Sequence, residues 1–176
     1  MEDQPKTSGK SIMLNYGLIL GFVSIIIALL NYVFGDLYKP HWILIVVSLL
    51  SSTAVIVLGI KKFKELNGGF LTVGQAIKTG LGIALISGLV YAAYLVVFFN
   101  FIETSYFDNM AAVQEQTIAE KYPNLTDEQM EGAIKNAAMF NTTGANVTMS
   151  LIFSLFFGLI ISLIGGLIMK RTDEAS

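Results

Sequence analysis

The chain has 176 residues, of which 54% are hydrophobic and 14% are charged, and its formal net charge is −2 at pH 7. Soluble domains usually carry about 25% charged residues, so this composition excludes an ordinary water-soluble domain. The lack of cysteine excludes disulfides, thiolate metal sites and cysteine nucleophiles. The slightly acidic balance gives no reason to expect a nucleic-acid partner.

Four long apolar runs predict four transmembrane helices, at about 12–34, 42–60, 76–99 and 148–169. Each run is long enough to cross roughly 30 Å of hydrocarbon as a helix. Helices are required because a segment inside lipid must satisfy its own backbone hydrogen-bonding groups. We therefore expect an all-α, polytopic membrane protein in which residues 1–176 form a single membrane domain.

The start of the third span is open, and it decides where Lys78 lies. A span that begins at Phe70 places Lys78 about 12 Å along the helix axis. A span that begins at Thr79 leaves "GGFLTVGQAIK" as a loop and an interfacial turn, with Lys78 at the membrane surface. We favour the second alternative, since a lysine can extend its ammonium to the surface and no acid lies in any span to pair with it.

Basic residues are distributed unevenly between the two ends of the predicted spans. Eight lie on one side, namely Lys6, Lys10, Lys61, Lys62, Lys64, Lys78, Lys170 and Arg171, against three on the other, Lys39, Lys121 and Lys135. Because loops rich in lysine and arginine stay in the cytoplasm, we expect both termini to be cytoplasmic, with tails at 1–10 and 170–176. Residues 100–147 then form an extracytoplasmic insertion.

Residues 100–147 contain signals for a small helical hairpin between spans three and four. Thr126 followed by Gln129 is typical of a capping box that opens a helix, and Pro123 separates that helix from an earlier one at about 108–121. The acids of this segment outnumber its lysines. We interpret them as a solvated surface, because the spacing and the turn glycine of a calcium loop are missing.

Small residues recur at every fourth position in two of the spans. They are Ala76, Gly80, Ala84, Gly88 and Ala92 in the third span and Ser150, Ser154, Gly158, Ser162 and Gly166 in the fourth, and the first span adds Gly17 and Gly21. Rows at this spacing let two helices approach closely, so we expect helix–helix packing, either within one chain or between subunits. The alternative is a substrate pathway lined by small residues.

The sequence indicates no catalytic chemistry. Hydrolase and protease motifs such as Gly-x-Ser-x-Gly and His-Glu-x-x-His are missing, and the spans hold no paired acids. We therefore expect no enzyme activity, no metal and no cofactor. The remaining candidates, for contact with an anionic lipid headgroup or a partner protein, are Lys61, Lys62, Lys64 and Lys78.

The stretch "ELNGGFLTVGQAIKTGLGIALISGLVYAAY" from Glu65 to Tyr94, the following "FNFI" and the four-span layout resemble a bacterial membrane family typical of Bacteroidota, domain of unknown function 4199. The resemblance covers almost the whole chain and is most specific from Asn67 to Gly80. It implies the bacterial inner membrane as the location. It supplies no catalytic residue, because the family has no established activity.

Members of this family are often found beside a polyprenyl-phosphate glycosyltransferase, so the resemblance implies an accessory role. We expect a non-catalytic inner-membrane protein that acts by helix packing, as an assembly or accessory subunit of such an enzyme. Its partners would be membrane lipids and either a second copy of itself or a membrane-associated protein. The alternative is a small dimeric transporter or a lipid-handling protein, with Lys78 near an anionic headgroup.

Overall fold

The computed structural model describes residues 9–172, and the regular structure within that range is helical. The α-helices are, in order, α1 Gly9–Phe34, α2 Trp42–Leu66, α3 Val73–Val97, α4 Tyr106–Lys121, α5 Asp127–Ala138 and α6 Thr143–Met169, and a π-helical segment, Phe98–Ile102, continues α3. Four of the helices, α1, α2, α3 and α6, are long and apolar enough to cross a membrane. The predictions of an all-α fold and of four membrane-spanning helices are confirmed.

The long helices extend beyond the apolar runs that predict them, because hydropathy marks the hydrocarbon and not the last helical turn. α1 begins at Gly9, inside the predicted tail at 1–10, whose first eight residues lie outside the described range. α2 continues through its lysines to Leu66. α6 begins at Thr143, where the hydroxyl of Thr142 accepts a hydrogen bond from the N–H of Ala145 at 3.1 Å.

The first turn of α3 lies between the two starts that the sequence leaves open. The Thr72 hydroxyl accepts a hydrogen bond from the N–H of Gln75 at 3.2 Å, and the Gln75 side chain accepts one from the N–H of Thr72 at 2.9 Å. This capping box starts the helix at Val73, so residues 73–78 are helical and the expected loop is wrong there, while the position of Lys78 at the membrane surface stays a prediction. Lys78 lies about 7 Å into the helix and is exposed.

α3 is the centre of the bundle, with its most extensive contacts to α6 and α1. It buries nine residues, against five for α6, four for α1 and three for α2, as expected of a helix with neighbours on several sides. We call the end with Gly9, the α2–α3 connector and Met169 the terminal end. The end with the α1–α2 loop, α4 and α5 is the hairpin end.

α2 packs closely against the bundle along only part of its length. Its buried residues are Ile56, Gly59 and Ile60, all in the half near the terminal end, and a Cβ added at Gly59 would collide with the side chain of Ile83. In the half near the hairpin end, Ile45 is 64% exposed. A gap separates this half of α2 from the other long helices.

The insertion between α3 and α6 contains α4 and α5, and α5 opens with a capping box formed by Thr126 and Gln129. Aromatic packing joins the insertion to the bundle, since the ring of Phe99 lies 4.6 Å from that of Tyr106, centroid to centroid. Burial raises the pKa of the Tyr106 phenol, and the neighbouring Tyr38 raises it further. The phenol is therefore uncharged at neutral pH.

Candidate functional site

The small-residue rows of α3 and α6 face each other in an antiparallel register. The facing pairs, from the terminal end toward the hairpin end, are Ala76 with Gly166, Gly80 with Ser162, Ala84 with Gly158, and Gly88 with Ser154. A Cβ added at Gly166 would lie 2.8 Å from the Cβ of Ala76, and one added at Gly80 or Gly158 would collide with the facing Cβ. Glycine is needed here because the two backbones leave no room for a side chain. The rows therefore pack within one chain.

One hydrogen bond joins the two rows directly. The row positions nearest the hairpin end have a different environment. The Ser154 hydroxyl on α6 donates a hydrogen bond to the backbone carbonyl of Ala84 on α3 at 2.8 Å. One step further, the register would set Ala92 opposite Ser150. Ala92 is buried, whereas Ser150 lines a cavity and donates a hydrogen bond to the Val147 carbonyl in its own helix at 2.8 Å.

Gly17 and Gly21 of α1 contact the opposite side of α3, against large β-branched side chains. A Cβ added at Gly17 would lie 2.6 Å from the Cβ of Ile86, and one added at Gly21 would lie 2.8 Å from the Cβ of Val90. α3 is thus held between α6 and α1 by glycine contacts on both sides.

The stretch that is most specific to the family resemblance, residues 67–80, builds the α2–α3 connector and the start of α3. Gly68 and Gly69 have positive φ angles of 68° and 86°, a conformation that favours glycine. Leu71 is fully buried and exchanges two backbone hydrogen bonds with Arg171, at 2.8 and 2.9 Å. The connector therefore holds the segment that follows α6, which is a structural role.

The lysines predicted as a contact site have different environments. The ammonium of Lys64 donates a hydrogen bond to the last carbonyl of α6 at 2.7 Å, which stabilises that helix end. Lys62 forms an ion pair with Glu65 at 3.3 Å. Lys61 and Lys78 are exposed and make no ion pair with any residue in 9–172. They are the two that remain available to a partner or a headgroup.

A cavity of about 470 Å³ lies between the four long helices, in the half of the bundle near the hairpin end. Small-molecule sites usually measure about 300–1,000 Å³. The wall includes residues 20–31 of α1 and residues 150–161 of α6, which gives a depth of about 16 Å at the helical rise per residue. One leaflet of a bilayer has a similar depth, half of roughly 30 Å of hydrocarbon.

The wall of the cavity is mainly aliphatic and aromatic, and every residue that lines it within the described chain is uncharged. The serine hydroxyls on the wall are those of Ser24, Ser48, Ser52, Ser87, Ser150 and Ser154. Those of Ser24, Ser52, Ser150 and Ser154 donate hydrogen bonds to main-chain carbonyls at distances between 2.8 and 2.9 Å. Those four protons are already used, so the lining hydroxyls that remain free to donate to an occupant are those of Ser48, Ser87 and Tyr91.

The cavity opens sideways, between α2 and α6. Its lining residues on these helices are largely accessible: Leu49 is 45% exposed on α2, and Phe153 and Phe157 are 53% and 41% exposed on α6. On α1, by contrast, the lining residues Ser24, Ile27, Ala28 and Asn31 are only partly exposed. The opening therefore faces the surface of the bundle that would contact lipid.

The amino-acid sequence does not predict this cavity. Ser48 and Ser52 of α2 lie one helical turn apart on the cavity face, and they are the signal that could have indicated it. An isolated pair of serines in an apolar helix is equally consistent with hydrogen bonds back to the helix's own carbonyls, and Ser52 does make such a bond. The gap is set by how α2 packs, which a row of serines does not determine.

Comparison with known proteins finds a match to a family model. The model described as "Protein of unknown function (DUF4199)" matches residues 15–171. No curated protein and no solved structure matches the chain. The match takes in the facing small-residue rows, the α2–α3 connector and the cavity. The chain therefore belongs to the DUF4199 family, whose function is unknown.

Proposed function

We propose that this protein is a non-catalytic membrane subunit whose helical core is a fixed scaffold for a membrane-associated partner. The main support is the α3–α6 interface, where glycine at positions 80, 158 and 166 brings the two backbones into close contact. On its other side α3 is held by Gly17 and Gly21. Helices that are packed this closely cannot slide without colliding, which favours a scaffold over a protein that works by large helix movements.

The distribution of charge supports the same proposal. In the four long helices the Lys, Arg, Asp and Glu residues lie close to the terminal end, and they are Lys10, Lys61, Lys62, Lys64, Glu65 and Lys78. Proton and ion relays use ionisable groups deep in the membrane. The middle of this bundle offers none of these four residue types, so an ion transporter is the weaker proposal.

The proposed partner contact is at the terminal end, where Lys61 and Lys78 are exposed. A polyprenyl-phosphate glycosyltransferase is the partner that the family resemblance favours. The test is purification of the tagged protein from native bacterial membranes in mild detergent, with identification of the proteins that co-purify. We compare the wild type with Lys61→Glu/Lys78→Glu and, as a matched control at the hairpin end, with Lys121→Glu/Lys135→Glu.

We expect the glycosyltransferase to co-purify with the wild type and with the control variant. The Lys61→Glu/Lys78→Glu variant should retain about thirtyfold less, because each reversed charge costs about 1 kcal/mol. Recovery without any glycosyltransferase would reject this partner. Equal recovery of the glycosyltransferase with both variants would show that the partner does not bind at the terminal end.

A second candidate function, lipid handling, is favoured by the sideways-opening cavity between α2 and α6. The test is flip-flop of a fluorescent phospholipid in proteoliposomes, with the wild type and with Lys78→Ala. We expect faster flip-flop than in protein-free vesicles. A rate equal to that of protein-free vesicles would reject lipid movement as the function and would leave the scaffold proposal unaffected.

A further inference from the structure

The cavity near the hairpin end has the size and wall of a lipid site. We infer that it holds one acyl chain of an anionic phospholipid from the leaflet at the hairpin end. This inference deepens the lipid-handling proposal. It rests on that proposal in one respect, that the protein binds lipid. A lipid that is bound here without being moved would satisfy the inference while the flip-flop assay fails.

The depth of the cavity selects a chain from one leaflet. Its wall spans residues 20–31 of α1 and 150–161 of α6, about 16 Å along the helices, beside roughly 15 Å for half of the hydrocarbon core. It ends near the middle of the bundle at Ile56 and Ile161, which are 1% and 8% exposed. An acyl chain that enters from the hairpin side would therefore reach the closed end without crossing the bilayer midplane.

The chemistry of the wall favours hydrocarbon over water or an ion. The lining residues are uncharged, and four of the serine hydroxyls donate to main-chain carbonyls. An ion would find no counter-charge here, and the side-chain oxygen of Asn31 is the single polar lining atom in the described chain that is buried without a hydrogen bond. The mouth between α2 and α6, with Leu49, Phe153 and Phe157 exposed, admits a chain laterally from the membrane.

The rim of the cavity at the hairpin end offers a positive charge for a phosphate. Pro40 lines the cavity, and Lys39 precedes it. The carboxylate of Asp36 accepts hydrogen bonds from the N–H groups of Tyr38 and Lys39, at 2.8 and 3.0 Å, which fixes the loop. The Lys39 side chain makes no ion pair with any residue in 9–172. Acids outnumber lysines at this end of the bundle, and Lys39 is the cation beside the cavity that a phosphate would contact.

The test uses phosphatidylglycerol with a diazirine on its acyl chain, at low density in phosphatidylcholine nanodiscs that contain the full chain. Labelled residues are mapped by peptide mass spectrometry. Ser52 and Tyr91 line the cavity on two different helices and are partly exposed, so a chain inside the cavity reaches both. We expect both to be labelled. Labelling confined to residues on the outer surface of the bundle would overturn the inference.

Two pairs of variants make the result specific. Ser48→Phe fills the cavity and should remove labelling of Ser52 and Tyr91, whereas Ala54→Phe, on the exposed side of the same helix, should leave it unchanged. Lys39→Gln should lower the labelling about fivefold, because it removes the attraction of one basic residue for an anionic lipid. Lys135→Gln should leave the labelling unchanged. Labelling that survives Ser48→Phe would overturn the site. Equal labelling by the phosphatidylcholine analogue would overturn the anionic headgroup.

Discussion

Ser154 on α6 donates a hydrogen bond to the backbone carbonyl of Ala84 on α3, at 2.8 Å. The bond lies between the steric contact of Gly158 with Ala84 and that of Gly88 with Ser154. A shift of one helical turn in either direction would place Ala84 opposite a serine, Ser154 or Ser162, and the two Cβ atoms would collide, since each facing pair needs one glycine. The hydroxyl of Ser154 adds a directional contact that favours the observed register.

Replacement of Ser154 by alanine should lower the free energy of unfolding by about 0.6 kcal/mol, the usual value for one interhelical hydrogen bond in a membrane protein. Ser150→Ala is the control, because the Ser150 hydroxyl donates only to the Val147 carbonyl in its own helix. The measurement is unfolding in mixed detergent micelles, followed by circular dichroism. Equal losses in the two variants would show that the Ser154–Ala84 bond has no net effect.

Gly158→Ala and Gly165→Ala place the same methyl group in the same helix, but only the first should destabilise the protein. A Cβ at Gly158 would collide with that of Ala84, whereas one at Gly165 would lie 3.5 Å from the nearest atom, in Met169. We expect Gly158→Ala to destabilise by about 1–3 kcal/mol. Gly165→Ala should be neutral or stabilise by up to about 1 kcal/mol through helix propensity. Thermal unfolding of both variants measures this, and two equal transitions would contradict the close contact at Gly158.

A double substitution can move a side chain from one helix to the other at the Gly80–Ser162 contact. Gly80→Ala alone should destabilise by about 1–3 kcal/mol, because its Cβ would collide with that of Ser162. Ser162→Gly removes that Cβ, so the double variant should recover most of the loss. Gly80→Ala/Ser150→Gly is the control, since Ser150 does not face Gly80. Recovery by both second substitutions would argue against a specific pair.

Gly69→Ala tests the connector through its backbone alone. Nothing lies within 4 Å of a Cβ added at Gly69 or at Gly74, but Gly69 has a φ of 86° and Gly74 is helical. We expect Gly69→Ala to cost about 1–2 kcal/mol and to speed hydrogen exchange at the amides of Leu71 and Arg171. Gly74→Ala should do neither. Unchanged exchange in Gly69→Ala would mean that the connector does not hold the segment after α6.

The helices and the close packing of their small residues follow from the sequence, since both depend on local patterns. Apolar length predicts the four membrane-spanning helices, and the four-residue spacing from Ala76 to Ala92 and from Ser150 to Gly166 predicts two packing rows. The Thr126–Gln129 box likewise has a local signal, which α5 contains. In each case neighbours within one or two turns decide the outcome.

The features that depend on distant contacts do not follow from the sequence. Whether the two rows meet within one chain depends on the order of the helices around α3. The Leu71–Arg171 pairing joins residues that are far apart in the chain, and no pattern near either residue indicates it. The cavity depends on where α2 leaves the bundle beyond Ile56, which is set by the sum of its contacts.

The most direct test of the central claim, that the rows of α3 and α6 face each other within one chain, is disulfide formation in Gly88→Cys/Ser154→Cys. A Cβ at Gly88 would lie 3.3 Å from that of Ser154, close to the roughly 3.5–4.5 Å of a disulfide, and the natural chain has no cysteine. We predict a cross-link within the monomer on oxidation in native membranes, and no cross-linked dimer when the two single variants are co-expressed. A disulfide-linked dimer of Gly88→Cys with Ser154→Cys, or no cross-link in the double variant, would contradict it.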